Sequence, residues 1–187
     1  MTSFIVDAHT RRTTPPSWKS DDSCVFCRII QHTAPAYRVY EDDALVAFLD
    51  ILPLRPGHVL LVPKVHYARV SELPAQYAAA LGAAISKISH ALTKGTFRFL
   101  SSPGAMENTA LNVVCNQEYA QAVPHVHYHI IPAPDFSSRK AASLSTTTNA
   151  RKSPTSVAEM HHKEFEARGE LDDDEAIDLV KKVKAHL

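Results

Sequence analysis

Charge of either sign in excess is missing from this chain: among its 187 residues, 20 Lys and Arg stand against 20 Asp and Glu. A balanced chain has no overall field to draw it to polyanions, so bulk nucleic-acid binding is not recommended, nor is a charged membrane surface. No apolar run approaches the ~20 residues needed to span a bilayer. Cysteine is scarce, with three in total, which excludes the disulfide framework of a small secreted domain. No internal repeat is present. Acids are also sparse at the start, where Met1 to Ser23 carries Arg11, Arg12, several Ser and Thr, and Pro15-Pro16. Arginines without an amphipathic pattern support a transit peptide weakly, so residues 1–23 read as a flexible N-terminal arm. The expected compartment is cytoplasmic or nuclear, with organellar targeting left open.

What is present centres on Pro124-His-Val-His-Tyr-His-Ile-Ile-Pro132. His125, His127 and His129 alternate strictly with Val126, Tyr128 and Ile130. In a strand, residues two apart share a face, so the spacing predicts three imidazoles on one side and apolar packing on the other. The bracketing prolines suit strand ends. Imidazole titrates near neutrality and can act as nucleophile, proton donor or metal ligand.

Elsewhere the pattern alternates between short β-rich runs and helices. Asp21-Asp22-Ser23 can cap a short helix over Cys24–Ile30 that ends before Pro35. Tyr37–Tyr40 and Ala44–Asp50 flank an acidic turn and read as a hairpin. His58–Lys64 is apolar enough for a central strand. Tyr77, Leu81, Ala84, Ile85, Ile88 and Leu92 recur at helical steps within a helix predicted over Leu73–Lys94, with Pro74 in its first turn and Gly95 at its end. Phe97–Thr109 reads as a loop, and Ala110–Asn116 as a further strand. Strands following one another without helices imply an antiparallel sheet. Residues 135–156 are Ser/Thr-rich and read as a linker. A C-terminal helical extension, 157–187, is expected to hold a short helix over Val157–Ala167 and a final one over Asp172–Leu187. Acids open that last helix and lysines close it, both favourable to its dipole. Ala176, Val180, Val183 and Leu187 would dock it.

The triad resembles the histidine-triad (HIT) family of nucleotide hydrolases and transferases, whose pattern is His-x-His-x-His followed by apolar residues. The resemblance spans Cys24 to Pro134, giving a domain over 24–134. It implies an α+β fold: a bent antiparallel sheet of about five strands, one long helix, and a short N-terminal helix. It implies a homodimer joined through the long helix and a sheet edge. His127 would be the nucleophile at the α-phosphorus of a purine nucleotide, with its tautomer fixed by the His125 carbonyl. His129 would hydrogen-bond phosphate and help protonate the leaving group, and His58 matches a pocket histidine. Val25, Phe26, Ile29, Phe48, Leu49 and Ile51 match residues enclosing the base, and Asp50 the carboxylate on the ribose. Asn116, Gln121 and Val123 match groups near the phosphates.

Two departures stand out. Ala120-Gln121-Ala122-Val123 lacks the usual glycine and hydroxyl at positions 120 and 122. His129, where the transferase branch has glutamine, favours a hydrolase. By resemblance, Cys24, Cys27, His66 and His125 form a structural zinc site, and two thiolates with two imidazoles suit tetrahedral zinc. A redox Cys-x-x-Cys is the competing reading of the cysteines alone. The implied activity is hydrolysis of nucleoside phosphoramidates or related adenylyl conjugates through a nucleotidyl-histidine. A dinucleoside polyphosphate hydrolase is the alternative within the family. A zinc-containing nucleotide-binding scaffold is the alternative outside enzymology.

Overall fold

The computed structural model describes residues 19–95, 109–133 and 168–187. The helix expected over Val157–Ala167 and the linker over 135–156 lie outside these residues. Five strands form one antiparallel sheet: β1 (Arg38–Glu41), β2 (Leu45–Leu49), β3 (Val59–Pro63), β4 (Leu111–Cys115) and β5 (Tyr128–Pro132), ordered β1-β2-β3-β5-β4. Among the described residues three α-helices accompany it: α1 (Val25–Ile30), α2 (Ala75–Gly95) and α3 (Asp173–Lys184). The α+β architecture is the one the sequence pattern predicts.

Strand alternation sorts the apolar side chains onto two faces. On one face Leu45, Ala47, Leu49, Val59, Leu61 and Ile130 meet Leu81, Ala84, Ile88 and Leu92 of α2. On the other, Val46, Phe48, Leu60 and Val62 pack with Phe26, Ile29 and Ile30 of α1. Each large aliphatic side chain so buried contributes about 1.5–3 kcal/mol. The two faces explain why β2 and β3 are buried along their whole length.

Three details differ from the sequence expectations. The cap of α1 is Cys24, which makes no side-chain cap hydrogen bond. Asp21 instead accepts from the backbone N–H and hydroxyl of Ser23, and its carbonyl from the N–H of Cys24. The ladder carrying the histidines begins only at Tyr128, so His125 and His127 precede it, outside the strand. There Val126 N–H donates to the Tyr67 carbonyl at 2.7 Å instead of joining a strand. The alternation of faces persists regardless: Val126 and Ile130 enter the α2-side core, and Tyr128 packs against it.

A buried ionic cluster ties α1 to the sheet. Arg38 donates to the Ile29 carbonyl at the end of α1 and contacts Glu41 at 2.6 Å, while Lys64 reaches Glu41 at 2.9 Å. These charges are nearly dry, so each depends on the others for compensation.

Helix α3 is capped by Asp172, which accepts from the N–H groups of Asp174 and Glu175, and it docks beside α2 and β1. Its stripe is broader than expected, because Leu179 joins Ala176 and Val183 in the core while Val180 and Leu187 are only partly buried. The final helix is therefore part of the same hydrophobic unit as the sheet. Leu179→Ala is expected to lower the unfolding free energy by about 3 kcal/mol, read from urea denaturation; a change below about 1 kcal/mol would show α3 to be peripheral.

Candidate active site

The α1 side of the sheet gathers the polar residues of interest into two adjoining groups. His127 and His129 lie with ring centroids 4.9 Å apart. Phe26 of α1 stacks edge-on to His127 at 5.1 Å and to His125 at 6.0 Å. That aromatic contact marks the join between the groups.

Proton positions follow from the hydrogen bonds. His127 Nδ1 lies 2.6 Å from the His125 carbonyl, which can only accept, so Nδ1 carries the proton and Nε2 keeps its lone pair. His58 Nδ1 accepts from the Leu54 N–H at 3.2 Å, which leaves the proton on Nε2. That Nε2–H points at His129 Nδ1, 2.9 Å away, so His129 must carry its own proton on Nε2. The result is one bare nitrogen on His127 and one N–H donor on His129.

Burial keeps these rings neutral. It lowers His58 to about 3, aided by His129, Arg168 and His127. It lowers His129 to about 4, with His127 and Arg168 adding to the effect, and lowers His127 against the opposing pull of the His125 carbonyl and Asp50. A His129 held neutral acts at physiological pH as an N–H donor, not as an imidazolium. Asp50 sits 3.5 Å from His58, and burial raises its carboxyl.

The enclosing residues divide. Phe26, Ile29 and Phe48 pack on the site's face, with Val25 and Val123 against them. Leu49 does not join them: alternation turns it into the α2-side core, so its place in a base pocket is corrected here. Ile51 is 61% exposed, on the rim. Asn116 and Gln121 shape the loop before the triad. Asn116 donates to the Ala120 carbonyl, and Gln121 donates to Ala68 and, at 3.4 Å, to the His125 carbonyl. Ala120 takes φ 58°, a left-handed conformation that favours glycine and costs a β-carbon-bearing residue about 1–2 kcal/mol.

The second group is Cys24, Cys27, His66 and His125, whose ligand atoms lie within 4.8 Å of one another. Cys24 Sγ is 3.5 Å and Cys27 Sγ 3.7 Å from His125 Nδ1, and Cys27 Sγ is 3.3 Å from His66 Nδ1. A tetrahedron with Zn–S of about 2.3 Å and Zn–N of about 2.1 Å has S–N edges of about 3.6 Å. The donor set and its spacing therefore fit zinc. His125 Nε2–H donates to the Pro63 carbonyl at 2.9 Å, which leaves Nδ1 free to ligate. Burial pushes the Cys24 thiol up to about 11, so a thiolate pair here calls for a cation.

Sequence reasoning missed Arg168. It follows the undescribed segment by one residue and influences Asp50, His58 and His129, yet no spacing in the chain connects it to them.

Comparison with known proteins agrees with this geometry. The HIT domain family matches residues 31–135. An adenylylsulfatase of Arabidopsis thaliana is 36% identical over 113 residues, covering 59% of this chain and 52% of that protein, about half its length. The adenosine 5'-monophosphoramidase of Schizosaccharomyces pombe is 33% identical over 113 residues, covering 60% of this chain and 76% of that one. A zinc-bound histidine triad family protein from Mycobacterium smegmatis superposes with a TM-score of 0.57 at 28% identity, covering 87% of this chain and 94% of that one.

Neutral buried histidines make the fold acid-sensitive. An open chain protonates His58 near 6.5, whereas the folded one resists to about 3. Stability from this group is therefore complete above about pH 6.5 and is lost as pH falls through that window, with a slope of up to about 1.4 kcal/mol per pH unit. Urea midpoints measured at pH 7 and pH 5 should fall on acidification, and less so in His58→Asn. Parallel profiles for the two proteins would contradict the assignment.

Proposed function

The chain belongs to the HIT domain family, and on that footing we propose that it hydrolyses adenylyl conjugates, nucleoside phosphoramidates among them, at the α-phosphorus. The observation that carries this reading is the 2.6 Å bond from His127 Nδ1 to the His125 carbonyl, which leaves Nε2 as an unprotonated nucleophile. Nε2 attacks phosphorus as the bond to the leaving group breaks, and the electron pair goes to the departing atom. An amine takes up a proton from solvent as it leaves, and a nucleotidyl-imidazole forms. Water then cleaves the phosphorus–nitrogen bond, releases the nucleoside monophosphate and restores the ring. The Nε2–H of His129 donates to phosphoryl oxygen as charge builds there, and the His58 donor holds His129 in that tautomer. Asp50 is suited to the ribose hydroxyls and Phe26, Phe48 and the exposed Ile51 to the base.

His127→Asn should reduce turnover of adenosine 5'-phosphoramidate by at least about a thousandfold while nucleotide binding persists. Rapid-quench mass spectrometry of the wild type should find an adenylyl group on the peptide containing His127. Unchanged turnover in the variant, or an adduct elsewhere, would refute the mechanism.

Two structural proposals accompany it. Zinc held by Cys24, Cys27, His66 and His125 would tie α1 to the chain entering β5 and so fix the backbone that orients His127. Homodimerisation is supported by the open edge of the sheet, where Val113 and Val114 of β4 are each 40% exposed, and by the exposed small residues Ala75, Ala79 and Ala83 on α2. Native mass spectrometry is expected to read two chains with one zinc each, and Cys27→Ser to lose the metal. Metal-free monomers at micromolar concentration would count against both.

A further inference from the structure

Residues 19–23 run beside the cysteine–histidine group and touch two of its members. Asp21 N–H donates to Cys27 Sγ at 3.4 Å. The Asp21 carboxylate stands 3.9 Å from His66 Nε2. The backbone N–H of His66 donates to the Lys19 carbonyl at 2.8 Å. Other contacts hold the segment in place. Gln31, at the end of α1, donates to the Ser20 hydroxyl at 2.7 Å, and the Lys19 ammonium lies 4.8 Å from the centre of the Tyr67 ring. Asp21 also closes its own turn, accepting from the N–H and hydroxyl of Ser23 at 2.9 and 2.7 Å. The family match begins at residue 31, downstream of this segment.

We propose that Asp21 is a positioning residue of the metal group, its amide steadying the Cys27 sulfur and its carboxylate the Nε2–H of His66, so that zinc is held more tightly than the four ligands alone would hold it. This rests on the reading of Cys24, Cys27, His66 and His125 as a zinc site. Cys27 Sγ lies 3.3 Å from His66 Nδ1, so Nδ1 is the nitrogen facing the other ligands. A neutral ring that gives Nδ1 to a cation keeps its proton on Nε2, where Asp21 stands. At 3.9 Å the carboxylate acts on that N–H by charge, raising the basicity of the opposite nitrogen. An N–H donor to a thiolate disperses its negative charge, which counts for a sulfur as buried as that of Cys27.

The role complements one already filled on the other side of the group. His125 has its own outer partner, the Pro63 carbonyl at 2.9 Å from Nε2. Asp21 supplies the corresponding partner to His66, and a second one to Cys27, from a single residue of the N-terminal segment. The rings of His66 and His125 pack edge-on with centroids 4.8 Å apart, and the His125 carbonyl meets His127 Nδ1. Asp21 therefore bears on the nucleophile only through the occupancy of the metal group.

The test measures zinc affinity of the full chain by competition with a chromophoric chelator, in wild type, Asp21→Asn, Asp21→Ala and Asp22→Asn. Asparagine can keep the turn with Ser23 through its side-chain oxygen while losing the charge. The dissociation constant should rise about tenfold or more in both Asp21 variants and change less than about twofold in Asp22→Asn, which removes the same charge one residue along. The amide is read separately in cobalt-substituted protein. Asp21→Pro should move the thiolate-to-cobalt charge-transfer band to lower energy than in Asp21→Ala, since both lack the carboxylate and only proline lacks the N–H. Affinity unchanged in both Asp21 variants overturns the proposal, as does an equal loss in Asp22→Asn, which would reduce Asp21 to bulk charge. A band at the same energy in Asp21→Pro and Asp21→Ala overturns the part given to the amide. Wild type that binds no zinc, or a Cys27→Ser protein that binds it as well as wild type, would instead remove the zinc reading and this proposal with it.

Discussion

The backbone carbonyl of His125 is the point on which the site turns. It accepts the proton-bearing Nδ1 of His127 at 2.6 Å, while the ring of the same residue sits among Cys24, Cys27 and His66. One residue therefore belongs to both polar groups, by its side chain to one and by its main chain to the other. Any displacement of that ring moves the carbonyl, and a nucleophile whose tautomer depends on the carbonyl feels the displacement at once. Gln121 adds a further constraint by donating to the same oxygen from the preceding loop. The short stretch before β5 is thus held by side chains on one hand and by the Tyr67 carbonyl on the other.

Much of this was legible in the linear pattern, and for physical reasons. Alternation of histidine with Val126, Tyr128 and Ile130 encodes two faces, and two faces is what the sheet presents. The helical spacing of Leu81, Ala84, Ile88 and Leu92 is satisfied by burial of all four. Cys24 and Cys27 were marked by their spacing, and His66 and His125 join them as the family resemblance implied. Leu49 shows the limit: its apolar neighbours made it look like pocket wall, but adjacent strand residues cannot share a face with Phe48. The capping role of Asp21 failed similarly, since a favourable residue type says nothing of where the first helical hydrogen bond falls.

What could not be read was whatever depends on distant chain meeting by tertiary packing. Arg168 has no motif around it, and nothing local marks it out from the other basic residues of the C-terminal third. Its position follows from the docking of Leu179 and Val183 and from one hydrogen bond between Leu171 and Ile51. The Arg38–Glu41–Lys64 cluster was invisible for the same reason, Lys64 reaching β1 from just beyond the end of β3.

The groups that set the three proton positions are the carbonyl of His125, the carbonyl of Pro63 and the amide of Leu54. All are main-chain atoms: the two carbonyls are present whatever side chain those positions carry, and the amide is lost only to proline. An orienting aspartate in a serine-hydrolase triad, by contrast, is lost to almost any substitution. Genetic drift can therefore alter most of the surroundings without scrambling the tautomers, and damage must come through the path of the backbone itself.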